Sequence, residues 1–195
     1  LVNGSASCEG YAKAAKLLLD KAGIENYVIT GTAKREDGAS EGHMWNVVFI
    51  DGKPYNLDLT WDDPIGEGVT QNKRYAYFNI TDEEILKTHT FSDASAYCTA
   101  TENNYFVKLG RQFDSYNAET KTALSNMFSG HKSGDKLDVR FSSEDAYQSA
   151  IDGLLKKEEI YRLLSIADAG KGGFSTTQIN YIADDTHCVI EFILV

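Results

Sequence analysis

Residues 43–62 have the sequence HMWNVVFIDGKPYNLDLTWD, and this stretch decides the fold of the first half of the chain. Two largely apolar runs flank the pair Asp51-Gly52, which is typical of a two-residue type I′ turn. With such a turn, His43 and Asp58 become diagonal neighbours on one face, with their backbones about 7–8 Å apart. A loop one residue longer would put Asp58 on the opposite face. The sequence therefore predicts an antiparallel hairpin that brings an imidazole to a carboxylate.

A helix and further strands are predicted around this hairpin. Residues 5–24, SASCEGYAKAAKLLLDKAGI, have apolar side chains at helical spacing. Ser5 and Ser7 are candidate N-caps, and Gly23 suits the position after the C-terminus. Strands are expected at 27–32, 43–50 and 54–60, and a short helix capped by Thr81 is expected at 82–87.

Composition changes at 92–104, a stretch rich in Ser, Thr, Ala and Asn that we interpret as a domain boundary. The elements predicted after it are a strand at 105–109, a helix at 118–128, a strand at 137–141, a long helix at 144–167, and strands at 178–183 and 187–195. The sequence thus predicts an α+β fold in two parts. Residues 1–95 form the first domain, and residues 105–195 form a small α+β domain to which the sequence assigns no role.

The net charge excludes several classes of partner. The chain has 195 residues with 19 Lys+Arg and 29 Asp+Glu, which gives 19 − 29 = −10. Phosphate binding needs clustered cations, so we expect no nucleic acid partner and little affinity for anionic lipid. No apolar run in the sequence approaches the roughly 18–20 residues that span a membrane. The three cysteines are an odd number, so at least one thiol stays outside any disulfide within the chain.

Cys8 is the candidate nucleophile because it falls in the first turn of the predicted helix. Free backbone N–H groups and the helix dipole stabilise a thiolate there. A nucleophilic cysteine also needs a base, and the base needs an orienting acceptor, which His43 and Asp58 supply. In this arrangement His43 deprotonates Cys8, the thiolate attacks an amide carbonyl, and His43 protonates the leaving amine. The backbone N–H of Cys8 is one candidate donor to the oxyanion, and the second donor is unassigned.

Three motifs resemble those of the bacterial transglutaminase-like superfamily. They are small-x-Cys-x-Gly-Tyr-Ala at 6–12, His-x-Trp-Asn at 43–46 and Asp-x-Thr-Trp-Asp at 58–62. The resemblance covers roughly residues 1–90. It implies a papain-like transglutaminase core, in which a helix that bears the cysteine packs on an antiparallel sheet.

The same resemblance implies roles for three residues, with Cys8 as nucleophile, His43 as base and Asp58 as orienting acid. Cores of this family usually begin upstream of the cysteine, so we expect a further N-terminal piece before Leu1. Many bacterial relatives are displayed on the cell surface, so the resemblance also implies a secreted or cell-surface bacterial protein.

We therefore expect a cysteine acyl-transfer enzyme that acts through a thioester on amide bonds of peptides or proteins. It is a peptidase or amidase if water resolves the thioester, and a transglutaminase if a lysine amine does. No motif decides between the two acceptors. The alternative is a non-catalytic surface or binding module that keeps the scaffold. A thiol redox protein is disfavoured because the sequence has no Cys-x-x-Cys motif.

Two tryptophans flank the candidate triad in sequence. Trp45 and Trp61 are either core aromatics or walls of a substrate cleft, and both are candidate substrate-binding residues.

No metal or other cofactor is expected. His131 and His187 have no ligand partner at metal-binding spacing. His89 is expected to be a packed or surface histidine rather than a ligand, with a place near the cleft as the alternative. Cys98 and Cys188 are expected to be ordinary thiols, with a disulfide between them as the alternative in an oxidising compartment.

Overall fold

The computed structural model describes residues 6–35, 38–63, 75–91 and 97–195. The chain divides into two units, residues 1–108 and residues 109–195. Part of the predicted boundary at 92–104 lies outside the described residues.

The first unit contains a five-stranded antiparallel sheet with strand order β4-β3-β2-β1-β5. Its elements are α1 (Cys8–Lys21), β1 (Asn26–Lys34), β2 (Ser40–Ile50), β3 (Lys53–Leu57), β4 (Phe78–Ile80), α2 (Asp82–Ile85), β5 (His89–Thr90) and α3 (Tyr105–Lys108). The second unit is mixed as well, so the chain has the predicted α+β character.

Helix α1 has the predicted ends. Ser7 is the N-cap residue in an extended conformation, although its side chain makes no capping hydrogen bond. At the other end, Gly23 has φ +73° and its N–H donates to the carbonyl of Asp20 at 3.1 Å. The N–H of Ile24 donates to the carbonyl of Leu19 at 2.9 Å. This pair of bonds is a Schellman motif, which needs the left-handed residue that glycine supplies without strain.

The hairpin between β2 and β3 has the predicted turn and register. Asp51 and Gly52 both have positive φ, at 52° and 75°, as a type I′ turn requires. Ile50 pairs with Lys53 across the turn. This register decides which side chains of the two strands share a face.

The sheet curls strongly about one face. Strand β5 pairs with β1, so three strand spacings, about 14 Å in a flat sheet, separate it from β3. A side chain of β5, His89, nevertheless hydrogen bonds to Asp58, the residue directly after β3, at 3.0 Å. Gly31 of β1 allows the close approach of β5, since a Cβ there would lie 2.0 Å from the carbonyl oxygen of Thr90. The concave face therefore closes around the side chains that it carries.

Each face of this sheet has its own apolar cluster. The concave face buries Ile29, Trp45, Val47, Ala76, Tyr77, Ile80, Ile85 and Cys98. The convex face buries Val48, Tyr55 and Leu57, with Leu19 of α1 packed against them. Helix α1 thus covers the convex face.

The second unit has a four-stranded sheet with order β6-β7-β9-β8, in which β6 and β7 are parallel. Its elements are β6 (Gln112–Phe113), α4 (Ala118–Phe128), β7 (Lys136–Phe141), α5 (Glu144–Ala150), a π-helical segment (Ile151–Lys156), α6 (Glu159–Asp168), β8 (Ile179–Asp184) and β9 (Val189–Leu194). Helix α4 has the predicted bounds. Leu124, Phe128, Val139, Leu154, Ile190 and Phe192, all 0% exposed, lie at the centre of its apolar core.

Two predicted elements of the second half are wrong. The expected strand at 105–109 is helix α3, because the side chain of Asn104 accepts the N–H of Phe106 at 3.0 Å and starts a helical turn. The expected long helix at 144–167 is interrupted. Its middle is π-helical, with Gly153 against the ring of Tyr116, and Glu158 then adopts a left-handed φ of 58° before α6.

Within the described part of the chain, every helix is too short or too polar to cross a membrane.

Candidate active site

His43 and Asp58 form a buried hydrogen-bonded pair. His43 lies on β2, Asp58 directly follows β3, and Nε2 of the imidazole is 2.6 Å from Oδ2 of the carboxylate. Their side chains are 2% and 0% exposed. The diagonal contact predicted from the hairpin register is present.

The carboxylate of Asp58 is held by the backbone that follows it. Its Oδ1 accepts the N–H of Thr60 at 2.9 Å and of Trp61 at 3.3 Å. Because the side chain bonds to the next residues, it competes with the strand ladder and turns the chain. The predicted strand at 54–60 therefore ends early, at Leu57. One oxygen is committed to this turn and the other faces the imidazoles.

A second imidazole completes the cluster, and its bond to Asp58 was not predicted from the sequence, which offered only a place near the cleft as an alternative. Nε2 of His89 lies 3.0 Å from Oδ2 of Asp58, the same oxygen that His43 contacts. Nδ1 of His89 lies 2.8 Å from the hydroxyl of Thr88. The side chain of His89 is 0% exposed. His89 is therefore a packed histidine and not a surface one. The only sequence signal was a histidine between two threonines, which is too weak to predict a two-residue edge strand.

Opposing effects act on the ionisation of Asp58. Burial, the largest effect, raises the pKa of a carboxyl group, because it penalises the charged form. The hydrogen bonds of His43 and His89 and their electrostatic interaction with the carboxylate act the other way and together prevail. The pKa of Asp58 therefore lies below its ordinary value, and the group is a carboxylate at neutral pH.

Aromatic rings enclose the cluster. The ring of Trp61 lies 5.7 Å from that of His43 and 4.8 Å from that of His89. Trp45 lies 5.1 Å from His89, is 1% exposed, and donates its indole N–H to Asn56. Because Trp45 is buried, only Trp61, which is partly exposed, can present a wall to a substrate.

Cys8 is the first residue of α1 and is partly exposed. It directly follows the N-cap residue, Ser7, and so belongs to the first turn of the helix. All three cysteines, Cys8, Cys98 and Cys188, are free thiols, so the disulfide considered for the last two is not formed.

Two contacts tie the N-terminal half of α1 to the strands of the site. The side-chain amide of Asn46, on β2, donates to the carbonyl of Ala12 at 3.1 Å. The hydroxyl of Tyr11 donates to the carboxylate of Asp63 in the turn after β3. Tyr11 is three residues after Cys8 and so lies on the same side of the helix. This side of α1 therefore faces the turn that begins at Asp58.

The direction of α1 follows from a contact at its other end. Asp20, near the C-terminus of the helix, accepts a hydrogen bond from Asn26, which pairs with Val48 of β2. Because Ala12 lies level with Asn46 and Asp20 lies nearer Val48, helix and strand run in the same direction. The N-terminal end of α1 thus points toward the part of β2 that contains His43.

The cluster of His43, Asp58 and His89 also has the composition of a metal site. Its three donor atoms lie within 4.8 Å of one another. Ligands about 2.0–2.1 Å from a tetrahedral zinc ion are about 3.3 Å apart, whereas Nε2 of His43 is 2.6 Å from the carboxylate oxygen. That separation is a hydrogen-bond distance, as is the 3.0 Å contact of His89. The geometry is that of two imidazoles donating to one carboxylate.

No model of a known protein family matches the chain, and no curated protein is significantly similar to it.

Proposed function

We propose that the first unit is a cysteine acyl-transfer enzyme with Cys8 as nucleophile, His43 as base and Asp58 as orienting acid. The observation that carries the proposal is the buried hydrogen bond between His43 and Asp58 beside a helix that begins at a partly exposed cysteine. A buried carboxylate is costly to desolvate, and active sites are where a carboxylate is commonly buried against a histidine. We also propose that the core is transglutaminase-like, as the three sequence motifs suggest.

The tautomer of His43 assigns its two nitrogens. A carboxylate can only accept hydrogen bonds, so Nε2 of His43 carries the proton that Asp58 accepts. In the neutral ring Nδ1 is then the basic nitrogen, and it takes the proton from the thiol of Cys8. Asp58 stabilises the resulting imidazolium and keeps the ring oriented.

The proposed mechanism requires the thiol of Cys8 to reach His43 beyond the end of β3. Helix α1 covers the convex face of the sheet, whereas His43 points to the concave face. The ladder between β2 and β3 ends at Asn46 and Leu57, three residues short of His43. Beyond this point the chain turns away at Asp58, and we propose that the N-terminus of α1 meets the imidazole there.

The reaction proceeds through a thioester. The thiolate of Cys8 adds to the carbonyl carbon of an amide, and the backbone N–H of Cys8 donates to the oxyanion. The C–N bond breaks, and the imidazolium of His43 gives its proton to the leaving amine. Water then releases a carboxylate from the thioester, or a primary amine releases a new amide. Trp61 forms one wall for the peptide or protein substrate.

Alkylation of the native protein by iodoacetamide tests the nucleophile. Cys8 is expected to react at pH 7 at least about tenfold faster than N-acetylcysteine, since a neighbouring base that accepts the thiol proton activates the nucleophile. Cys98 is an internal control, because burial, followed by the nearby carboxylate of Asp82, raises the pKa of its thiol to about 12. Mass spectrometry of the peptides distinguishes the two sites.

Substitution of the base tests the mechanism. His43→Ala is expected to reduce the Cys8 alkylation rate to that of N-acetylcysteine, while the matched variant His131→Ala, in the second unit, leaves the rate unchanged. A native Cys8 that reacts no faster than N-acetylcysteine contradicts the enzyme proposal and favours the alternative, a non-catalytic binding module. For a reactive Cys8, incubating glutamine-containing peptides with and without a fluorescent primary amine separates hydrolysis from transamidation.

A further inference from the structure

The second imidazole of the cluster has no part in the mechanism above, although it contacts the same carboxylate oxygen as the base. We propose that His89 is a positioning residue, which holds the Asp58 carboxylate in the orientation that aims His43. This inference rests on the proposed function of Cys8, His43 and Asp58. It assigns the two imidazoles different roles.

The hydrogen bonds to Asp58 show what His89 restrains. The two backbone donors of the following turn hold Oδ1, and the two imidazoles share Oδ2, so the carboxylate has four donors for about four lone-pair directions. Without His89, Oδ2 would keep a single donor on a side chain that can rotate. His89 therefore fixes the plane of the carboxylate, and this plane fixes the ring of His43.

The imidazole of His89 is also held from its far side. Because Asp58 only accepts, Nε2 of His89 donates to it, and Nδ1 lies 2.8 Å from the hydroxyl of Thr88. The hydroxyl of Tyr77 lies 3.2 Å from that of Thr88, and either hydroxyl can be the donor. Hydrogen bonds thus connect Tyr77 through Thr88 and His89 to Asp58, and such chains polarise each member.

This chain also decides which imidazole is the base. Both nitrogens of His89 are occupied by partners within the cluster, whereas His43 uses only Nε2 there. Among the described residues, the titratable groups that face His89 are Asp58, His43 and the phenol of Tyr77. When the proton of the Cys8 thiol moves to Nδ1 of His43, the charge of Asp58 stabilises that imidazolium.

Packing alone does not account for a histidine at this position. The ring of His89 is fully buried among Trp45, Trp61 and Tyr77, where a phenylalanine would fill a similar volume without burying two polar nitrogens. The backbone holds the position independently of the ring, since the carbonyl of Thr88 accepts the N–H of Lys34 at 2.8 Å. The hydrogen bond to Asp58 is what the imidazole adds.

Two substitutions separate the donor from the ring. His89→Phe keeps the ring and removes the donor, and it is expected to slow iodoacetamide alkylation of Cys8 about tenfold or more. His89→Gln keeps an amide N–H at the reach of Nε2, and it is expected to stay within about threefold of the wild-type rate. Equal rates for His89→Phe and the wild type would overturn the proposal. Equal losses in both variants would also overturn it, because they would show that the ring and not the donor matters.

A second readout covers variants that fold poorly and distinguishes the two proposals. In the wild type, the Nε2 proton of His43 is expected to give a far-downfield proton NMR signal, because it lies in a short bond to a carboxylate. His89→Gln is expected to keep this signal, and His89→Phe is expected to shift or broaden it. Thr88→Val, which replaces the hydroxyl by a methyl group, is also expected to shift or broaden it. If wild-type Cys8 is unreactive, the proposed function fails, while the NMR series still decides whether His89 holds Asp58. If Cys8 is reactive and the signal is identical in all variants, only the role of His89 fails.

Discussion

The two units bury different kinds of side chain at their centres. On the concave face of the first unit, His43, Asp58 and His89 are almost completely buried and hydrogen bond to one another. At the centre of the second unit, Leu154 and Phe192 are 0% exposed in an apolar core. The stability of the first centre depends on the hydrogen bonds among its buried polar groups. The stability of the second depends on how fully apolar side chains fill its volume.

This difference shows where polar burial is most costly. Replacing a buried ionic group by apolar side chains of similar volume is often neutral or stabilising. The second unit also buries charged side chains, among them Asp138 and Arg140, but its fully buried centre is apolar. The first unit instead has a carboxylate at its centre, with Asp58 0% exposed. The burial of Asp58 therefore depends on the hydrogen bonds that it accepts.

The largest loss of stability is expected from a cavity in the second unit. Phe192→Ala should lower the free energy of unfolding by about 3–5 kcal/mol, because it removes a fully buried ring. Urea denaturation followed by circular dichroism measures the loss. Tyr181→Ala is the matched control, since Tyr181 pairs with Phe192 across β8 and β9 but is 50% exposed, and it should cost much less. Similar losses for the two variants would show that the core does not depend on filled volume.

The next largest loss is expected from breaking the polar cluster. Asp58→Ala removes the acceptor of two imidazoles and two backbone N–H groups, and should cost about 2–4 kcal/mol because buried donors are left unpaired. Asp58→Asn keeps a carbonyl oxygen for the backbone donors of Thr60 and Trp61, and should cost less. Both are measured by urea denaturation at pH 7. An Ala variant as stable as the wild type would show that water replaces the carboxylate at no cost.

The same carboxylate predicts a dependence on acid. The pKa of Asp58 is lower in the folded chain than its ordinary value of about 4, so its contribution to stability is fully present above pH 4. The contribution is lost as the pH falls through the folded-state pKa. The stability difference between wild type and Asp58→Asn should therefore shrink below about pH 4, as followed by urea denaturation across that range. A difference that grows in acid would contradict the direction of the pKa shift.

A smaller loss is expected where the sheet closes on the cluster. A Cβ at position 31 would lie 2.0 Å from the carbonyl oxygen of Thr90 and 2.9 Å from the ring of Trp45. Gly31→Ala should thus push β5 away, cost about 1–3 kcal/mol and weaken the contact of His89 with Asp58. Gly42→Ala, on the neighbouring strand, places its Cβ in open space and should leave the unfolding midpoint in urea nearly unchanged. If both variants behave alike, the curl of the sheet does not depend on the glycine.

The parts of the site that local chemistry determines could be predicted from the sequence. The pair Asp51-Gly52 specifies the turn, the turn specifies the register, and the register brings His43 to Asp58. Helix α1 could be predicted for the same reason, since Gly23 marks its end through a motif of adjacent residues. Each of these inferences spans at most about twenty residues.

The missed features depend on side chains that are remote in sequence or compete with the backbone. His89 joins the cluster from a two-residue strand, 31 residues after Asp58, and only the curl of the sheet brings it there. Strand β3 ends at Leu57 because the Asp58 side chain captures the next backbone N–H groups, which apolar alternation does not reveal. The interruption after α5 depends on the ring of Tyr116 lying against Gly153.

The smallest expected effect concerns the short helix that leads to β5. The Thr81 side chain caps α2 by accepting the N–H of Glu84 at 3.2 Å, and the Glu84 carboxylate accepts the N–H of Thr81 at 3.3 Å. Thr81→Ala should cost about 1 kcal/mol in urea denaturation, while Thr81→Ser, which keeps the hydroxyl, should cost less. Ile85 of this helix is fully buried against the concave face, so packing holds α2 even when the cap is lost. Alkylation of Cys8 should therefore stay at the wild-type rate in Thr81→Ala. A slower rate would mean that the reactivity of Cys8 responds to small losses of stability as well as to the loss of donors within the cluster. The contrast between the polar centre of the first unit and the apolar centre of the second would then be weaker.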